Sequence, residues 1–473
     1  MGGGLRTRLA TVAAFVLAVG AAPFISPAHA ATGTVTTAAL NFIPPTVTIA
    51  PGDALQLQNV DPLPHNVAST QTDKAGRLLF SSDTISAGQM ATVRGVPKLR
   101  PGSYPFICSV HPFMHGTLNV GSVPLAVVPV ATGGVVASPT SITVFGDSLY
   151  AASYASGIVQ RLTLLPGGAL APATPYATGF SSPLGIAFAT DGTLFVSESH
   201  AAGAGTVGRV RAVPKGGGDV ATAGRVVVDN LPNGRHNTNG LAVHGSRLYI
   251  ANGNSTDDGV TGGPAERPLS GTLISVPLSA RNIDAAHAPK SLVVEARGMR
   301  NLFDVAFRPA THEAWIPTNG PDALDPYGED LLNMLDVREP RAVDFGFPGC
   351  VYKQGTRGPE YKQNPAVAET HPCSPRHRRP EALLGLHVSA DGLAFGPGSG
   401  PWGGDLYIAE YGNNPGETNA GHQVVRVPII NGHAGAPQQL VAGATPLDVA
   451  FGPAGLYVAD FGSGLITLLQ AVS

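Results

Sequence analysis

An all-β chain of two parts is what this sequence predicts, and three observations predict it. Gly 60 and Pro 42 are abundant and scattered without a period among 473 residues, the composition of many short strands joined by turns. Residues 46–59 and 101–107 set short apolar or alternating runs against Pro-Gly turns, the pattern of a small antiparallel sandwich. Beyond residue 138 a two-strand pattern recurs six times, the pattern of a radial array. The length holds two or three domains. Hydrophobic residues are 43% and charged residues 13%, which supports substantial cores and excludes a disordered chain. A formal charge of −3 offers nothing to nucleic acid or to an anionic membrane surface.

Residues 1–30 read as a secretory signal peptide. Arg6 and Arg8 form its charged start, Thr11 to Ala22 its apolar stretch, and Ala28-His29-Ala30 a small-residue cleavage site. A membrane anchor is the alternative, but the stretch is short for a span and Pro23 and Pro27 close it. No later segment is long and apolar enough to cross a bilayer. The expectation is a mature protein without a membrane span, secreted or periplasmic.

Residues 31–122 form the first domain. Thr46 to Ala50, Leu55 to Asn59 and Tyr104 to Ile107 read as strands bounded by turns. The run Cys108-Ser109-Val110-His111-Pro112-Phe113-Met114 follows, with an isolated His65 upstream. A thiolate, two imidazoles and a weak axial thioether suit copper cycling between its two oxidation states. One loop supplies Cys108, His111 and Met114, and His65 clamps the site from a distant strand end. Asn66 is placed to hydrogen-bond across to the ligand loop and hold it. Pro112 and Phe113 leave an apolar rim beside His111. A metal-free sandwich is the bland alternative, and zinc is a poor one, since a lone thiolate with Met does not suit it. On these residues, and on Gly102-Ser103-Tyr104-Pro105-Phe106 before them, the domain resembles a cupredoxin of the amicyanin and pseudoazurin type. The resemblance implies a Greek-key β-sandwich with a blue-copper site that carries single electrons. With Cys108 assigned to copper, Cys350 and Cys373 remain. In an exported chain a disulfide is the simple expectation, and two separate buried thiols the alternative.

Residues 123–137, small and apolar with Gly and Pro, are a linker or a first strand. From 138 to 473 the repeats follow: Ser141 to Tyr150; Leu184 to Phe188 with Leu194 to Val196; Asn239 to Val243 with Leu248 to Ile250; Phe303 to Phe307 with Ala314 to Ile316; Asp391 to Phe395 with Leu406 to Ile408; and Leu447 to Phe451 with Leu456 to Val458. Their spacing, on the order of fifty residues, lies in the range of propeller blades, so the second domain is predicted to be a six-bladed β-propeller. Residues 321–388, rich in charge and Pro and holding both remaining cysteines, are expected to be a large insertion of functional or lid-like character.

Three clusters before blade strands should converge on one channel mouth: Gly234 to Gly240, Gly298-Met299-Arg300-Asn301, and Thr318 to Pro321 leading to Glu329-Asp330 and Phe345 to Pro348. They are similar to those of the glucose/sorbosone dehydrogenases, propellers that bind pyrroloquinoline quinone (PQQ), and of the PQQ-dependent pyranose dehydrogenases. The resemblance implies His236 as catalytic base and Arg300 and Asn301 as quinone contacts. It implies Gly320 and Pro321 as carbonyl ligands of calcium, with Asp330 in the acidic stretch after them. His236 would take the proton of an anomeric hydroxyl while hydride passes to the quinone. Arg300 would polarise the quinone. The partners implied are a sugar substrate and a redox protein or other electron acceptor. Two stretches depart from the resemblance. Ala409-Glu410-Tyr411-Gly412 and Thr445-Pro446-Leu447-Asp448 stand where the soluble glucose dehydrogenases have basic residues for the cofactor's carboxylates, and neither offers a cation; Arg235 or Arg426 would have to substitute. Arg-Asn and His-Asn pairs also serve as turn residues that bond to the backbone. Two other functions follow from the same residues: a non-enzymatic copper carrier with a docking propeller, and a calcium-dependent hydrolase of the lactonase type.

Overall fold

The computed structural model describes residues 32–473 except 50–51, 73–75, 100–101, 121–124, 204, 356–357, 368–372, 374–376, 399, 414–419, 431, 444 and 473. The signal-peptide reading lies outside the described residues. Two compact units divide the chain at residues 121 and 122. No helix among the described residues is long and apolar enough to cross a membrane.

The first unit is a sandwich of two four-stranded sheets. Strand Ala54–Asn59 alternates as its sequence does, turning Leu55, Leu57 and Asn59 inward. The two leucines pack with Phe42, Phe80, Phe106 and Leu118 into one core that also holds Cys108 and Met114. The sheets are not purely antiparallel as expected. Thr32–Ala38 runs parallel to Ala54–Asn59, and Thr46–Ile49 parallel to His115–Val120. The chain crosses to the second sheet at Thr46–Ile49 before returning beside its first strand, and such a crossover pairs strands in parallel.

The second unit is a six-bladed propeller. Its innermost strands are Pro139–Phe145, Pro183–Phe188, Thr238–His244, Asn301–Leu302 with Ala306–Phe307, Ala390–Phe395 and Pro446–Gly452. Each heads its own sheet, antiparallel except where a short fifth strand joins blades one, two and three in parallel. An apolar cluster fills every junction between successive blades, including that from blade six back to blade one, where Tyr457 and Leu468 meet Ile142 and Leu149. A blade strand is therefore buried on both faces. Leu248 and Ile250 face one neighbour while Tyr249 and Ala251 face the other, which is why the repeats read as near-continuous apolar runs.

Two boundaries differ from expectation. Val127–Val135, inside the segment expected to be a linker or a first strand, is a strand, but the outer one of blade six, antiparallel to Leu465–Ala471. Without it the last blade would leave an open sheet edge. The expected insertion also contributes blade strands: Glu329–Asp336 and Ala382–Leu386 belong to blade four. What inserts between them is a hairpin, Cys350–Gly355 with Gly358–Gln363, tied by the Cys350–Cys373 disulfide.

At the axis, equivalent positions of the inner strands carry Ser141, Gly185, Gly240, Asp304, Gly392 and Asp448. The glycines are required by close approach. A Cβ on Gly240 would strike the Asp304 carboxylate, and one on Gly392 that of Asp448. Asp448 accepts the Ile142 N–H at 2.6 Å and Asp304 the Leu393 N–H at 3.3 Å, so each carboxyl ties its blade to the next. Burial pushes both carboxyls well above the usual range, and Asp304 is raised further by Asp448.

Candidate copper centre and channel mouth

The copper ligands are brought together by two backbone devices. His65 is pinned by paired bonds with Ile85, His65 N–H to Ile85 O at 3.0 Å and Ile85 N–H to His65 O at 2.9 Å. Buried Asn59 braces the turn before it, donating to Leu63 O at 2.8 Å and accepting from Asp61 N–H at 2.9 Å. Strand Gly102–Ile107 delivers Cys108, and a closed turn follows: His111 N–H to Cys108 O at 3.2 Å, Met114 N–H to His111 O at 2.9 Å, and Cys108 N–H to Met114 O at 3.2 Å.

The donor atoms form a triangle. Cys108 Sγ lies 3.6 Å from His65 Nδ1 and 3.8 Å from His111 Nδ1, and the two nitrogens are 3.2 Å apart. Three donors about 2.1 Å from a central metal have edges of about 3.6 Å, so the triangle is the size of a trigonal ligand plane. Among the described residues, no other group of three His, Cys, Asp or Glu side chains meets so closely. Burial holds His65 below the usual imidazole range against the opposing pull of Asp61, which favours the neutral ligand form. With Nδ1 facing the triangle, its Nε2 points to Asp61 Oδ2 at 3.6 Å. Asn66 bridges the two ligand segments as expected, donating to Ser109 Oγ at 2.7 Å and accepting from Ser109 N–H at 2.8 Å. Phe113, 64% exposed, and exposed Pro112 form the apolar rim beside half-buried His111. Met114 is buried in the same core.

The sequence of this unit matches the Cupredoxin-like domain family over residues 8–120. Amicyanin-alpha of Methylorubrum extorquens is 35% identical over 120 residues, spanning 24% of this chain and 93% of that protein. The chain belongs to the cupredoxin family. Its cupredoxin unit carries the complete donor set, and the residues fit copper.

The propeller of this cupredoxin fusion is similar in fold to a Trichoderma reesei enzyme of carbohydrate-active family AA12, with TM-score 0.60, 20% identity, and coverage of 75% of this chain and 100% of that one. It is also similar to the PQQ-bound aldose sugar dehydrogenase of Streptomyces coelicolor, with TM-score 0.50, 18% identity, and coverage of 74% and 100%.

The structure brings the expected propeller residues to one mouth. Gly253 sits between two of them: a Cβ there would meet His236 Cβ at 2.6 Å and Asn301 Oδ1 at 3.1 Å. His236 Nδ1 lies 2.7 Å from Asn254 Oδ1. Burial and the nearby Arg300 charge push its pKa down to about 3, despite the Asn254 bond. The imidazole is thus neutral at physiological pH.

Arg300 and Asn301 are placed there, but both are engaged. Arg300 is 3% exposed; its Nε donates to Asp257 O at 2.8 Å, its Nη1 to Asn319 O at 3.3 Å and its Nη2 to Asp257 Oδ1 at 2.5 Å. Arg235 reaches the same Asp257 carboxylate at 3.3 Å and also binds Asp322. Burial would raise the Asp257 carboxyl, but Arg300 holds it below the usual range. Asn301 donates to Asn319 Oδ1 at 2.6 Å and accepts from Asn239 at 2.9 Å, an amide belt across blades three and four. Arg426, the other candidate cation, is paired with Asp405.

Gly320 and Pro321 follow strand Glu313–Asn319 and line a small cavity with Arg300, Asn333, Phe345 and Tyr352. Asp330 acts as a strut: its two carboxyl oxygens accept N–H groups of Gly320 and Ala390, each at 2.9 Å. Asp330 is thus committed to backbone donors rather than to calcium. Glu410 is fully buried and its carboxyl is pushed up to about 8 by burial, so this stretch presents a neutral acid where a cation was sought. His236 and Asn301, on either side of Gly253, fit the reactive end of PQQ, while the candidate cations Arg235, Arg300 and Arg426 are each committed to a carboxylate. Asn254, Asp257 and Glu266, which govern this mouth, escaped sequence reading; their one signal is a polar run, Asn252 to Asp258, that reads as a turn.

Proposed function

We propose that this chain is an exported oxidoreductase that oxidises a hydroxyl of a neutral sugar at the propeller mouth and releases the electrons singly through copper. The observation that carries the reading is His236: a neutral imidazole beside Asn301 at the mouth of a fold shared with sugar dehydrogenases. A quinone of the PQQ class, when bound, would supply the two-electron, hydride-accepting chemistry. His236 Nε2 accepts the hydroxyl proton. Asn301 is held in place by Asn239 and Asn319, and burial together with the nearby Arg300 charge keeps the imidazole unprotonated. In the cupredoxin unit His65, Cys108, His111 and Met114 would hold copper, which would supply one-electron chemistry, and the Pro112–Phe113 rim beside His111 would face the electron acceptor.

The test uses the copper-loaded chain, PQQ and Ca²⁺ without oxygen, and a panel of aldoses. Two electrons leave each sugar and each copper takes one, so two Cu(II) centres should bleach per sugar oxidised. Copper bleaching by no aldose, with no PQQ bound, would sink the dehydrogenase reading. That result would favour a copper carrier with a docking propeller, the reading that the engaged Arg235 and Arg300 support. Release of the leader into the periplasm or medium, read from the mature N-terminus, tests export.

A further inference from the structure

The loop after strand Arg247–Asn252 carries a relay that ends on His236. Glu266 receives four donors: Asn254 Nδ2 at 2.8 Å, Ser255 N–H at 3.0 Å, Thr256 N–H at 3.0 Å and Thr256 Oγ at 2.5 Å. Asn254 Nδ2 also donates to Thr256 O at 2.8 Å. Its third partner, the Thr256 hydroxyl at 3.3 Å, gives its own proton to Glu266 and so accepts as the other two do, which makes this nitrogen the NH₂ end of the amide. The opposite end, 2.7 Å from His236 Nδ1, is therefore the carbonyl oxygen. An oxygen accepts only, so His236 must carry its proton on Nδ1, and the lone pair falls on Nε2. Were the Asn254 amide turned over, NH₂ would meet Nδ1 and the proton would move to Nε2, closing the nitrogen that faces the substrate.

We propose that Glu266 is a positioning residue that sets the tautomer of His236 by fixing which way the Asn254 amide faces. It rests on the reading of His236 as the base, yet it concerns the resting protein and can be tested apart from turnover. A carboxylate suits this task because it has no donor to offer Asn254 in the wrong orientation. A glutamine at 266 has one, so the amide can turn.

The experiment is long-range ¹H–¹⁵N correlation on the full ¹⁵N-histidine-labelled chain, without substrate or quinone, with His236→Gln to assign the ring. The wild type should show a protonated Nδ1 and an unprotonated Nε2. Glu266→Gln should shift the ring to a mixture or to Nε2–H. Glu266→Asp, which keeps the carboxylate but shortens its reach, should shift it in the same direction and serves if the first variant folds poorly. An Nε2–H ring in the wild type, or an Nδ1–H ring unmoved in a folded variant, overturns the proposal. If the protein oxidises aldoses, turnover should fall on the order of 10²- to 10⁴-fold with the tautomer, as when an orienting partner of a base is lost. The stated tautomer in a protein that oxidises nothing would refute the base reading and leave the relay standing.

Discussion

Acidification should destabilise the propeller through His236, by an amount the structure sets. In the folded chain the imidazole titrates at about 3 rather than 6.5. Between those values the unfolded chain binds a proton that the folded one excludes, so stability falls as pH falls through the window. At pH 5 the unfolded imidazole is about 1.5 units into its titration, worth about 2 kcal/mol, and about 1–2 kcal/mol after screening at the exposed ring edge. Glu410, Asp330 and Asp391 act oppositely, since burial raises their folded pKa values and acid then favours the fold. A difference measurement removes them. Urea unfolding of wild type and His236→Gln, at pH 7.5 and pH 5, can be followed by Trp315 and Trp402, the chain's 2 tryptophans, both in the propeller. The wild type should lose about 1–2 kcal/mol more than the variant over that interval. Equal losses in both would refute the neutral, desolvated imidazole on which the proposed base chemistry depends.

Four further outcomes follow from the same contacts. Cys108→Ser should abolish the intense visible Cu(II) band and leave the urea midpoint read by tryptophan unchanged, since it alters only the first unit. Glu410→Gln should stabilise the propeller by about 1–3 kcal/mol at pH 7.5, a gain that fades toward pH 4.5, where the unfolded carboxyl too is protonated; a gain independent of pH would contradict it. Gly240→Ala should cost about 1–3 kcal/mol in urea unfolding, because its methyl group meets the Asp304 carboxyl and backbone. Asp257→Asn should tighten PQQ binding about tenfold or more in a fluorescence titration, by removing one of the two carboxylates, Asp257 and Asp322, that Arg300 and Arg235 share; unchanged or weaker binding would show that these arginines do not face the ligand.

The copper site was legible because Cys108, His111 and Met114 share one turn, and only His65 had to be found elsewhere. The blades were legible because strands buried on both faces write continuous apolar runs. What escaped was built from contacts distant in sequence or from residues with a bland local reading. Val127–Val135 is a strand because the end of the chain pairs with it, and nothing near residue 130 announces Leu465–Ala471. Glu329–Asp336 looked like insertion because its acidic start masks the apolar alternation that follows. Arg300 could be placed at the mouth from its motif, but not its partner. Asp257 sits in a Gly-, Asn- and Thr-containing loop whose composition says turn, and only the fold carries that carboxylate to the guanidinium.

That partner decides what the mouth accepts. A buried guanidinium without a counter-charge costs several kcal/mol, and Asp257 removes that cost inside the protein. An anionic ligand must therefore either share Arg300 with Asp257 or displace it, and displacement leaves a buried carboxylate exposed to its own desolvation penalty, about 3–5 kcal/mol. A neutral hydroxyl meets no such barrier, because it needs only the Nε2 lone pair of His236 and the amide belt. On the proposed reading, the same ion pairs that make a highly anionic cofactor costly would favour an uncharged polyol over an anionic substrate. They also hold Arg300 beside His236, where its charge adds to burial in keeping the imidazole unprotonated while Asp257 pulls the other way. The acid partner that weakens the anion site therefore opposes the low His236 pKa, and burial with the two arginine charges outweighs it, leaving the Nε2 lone pair free.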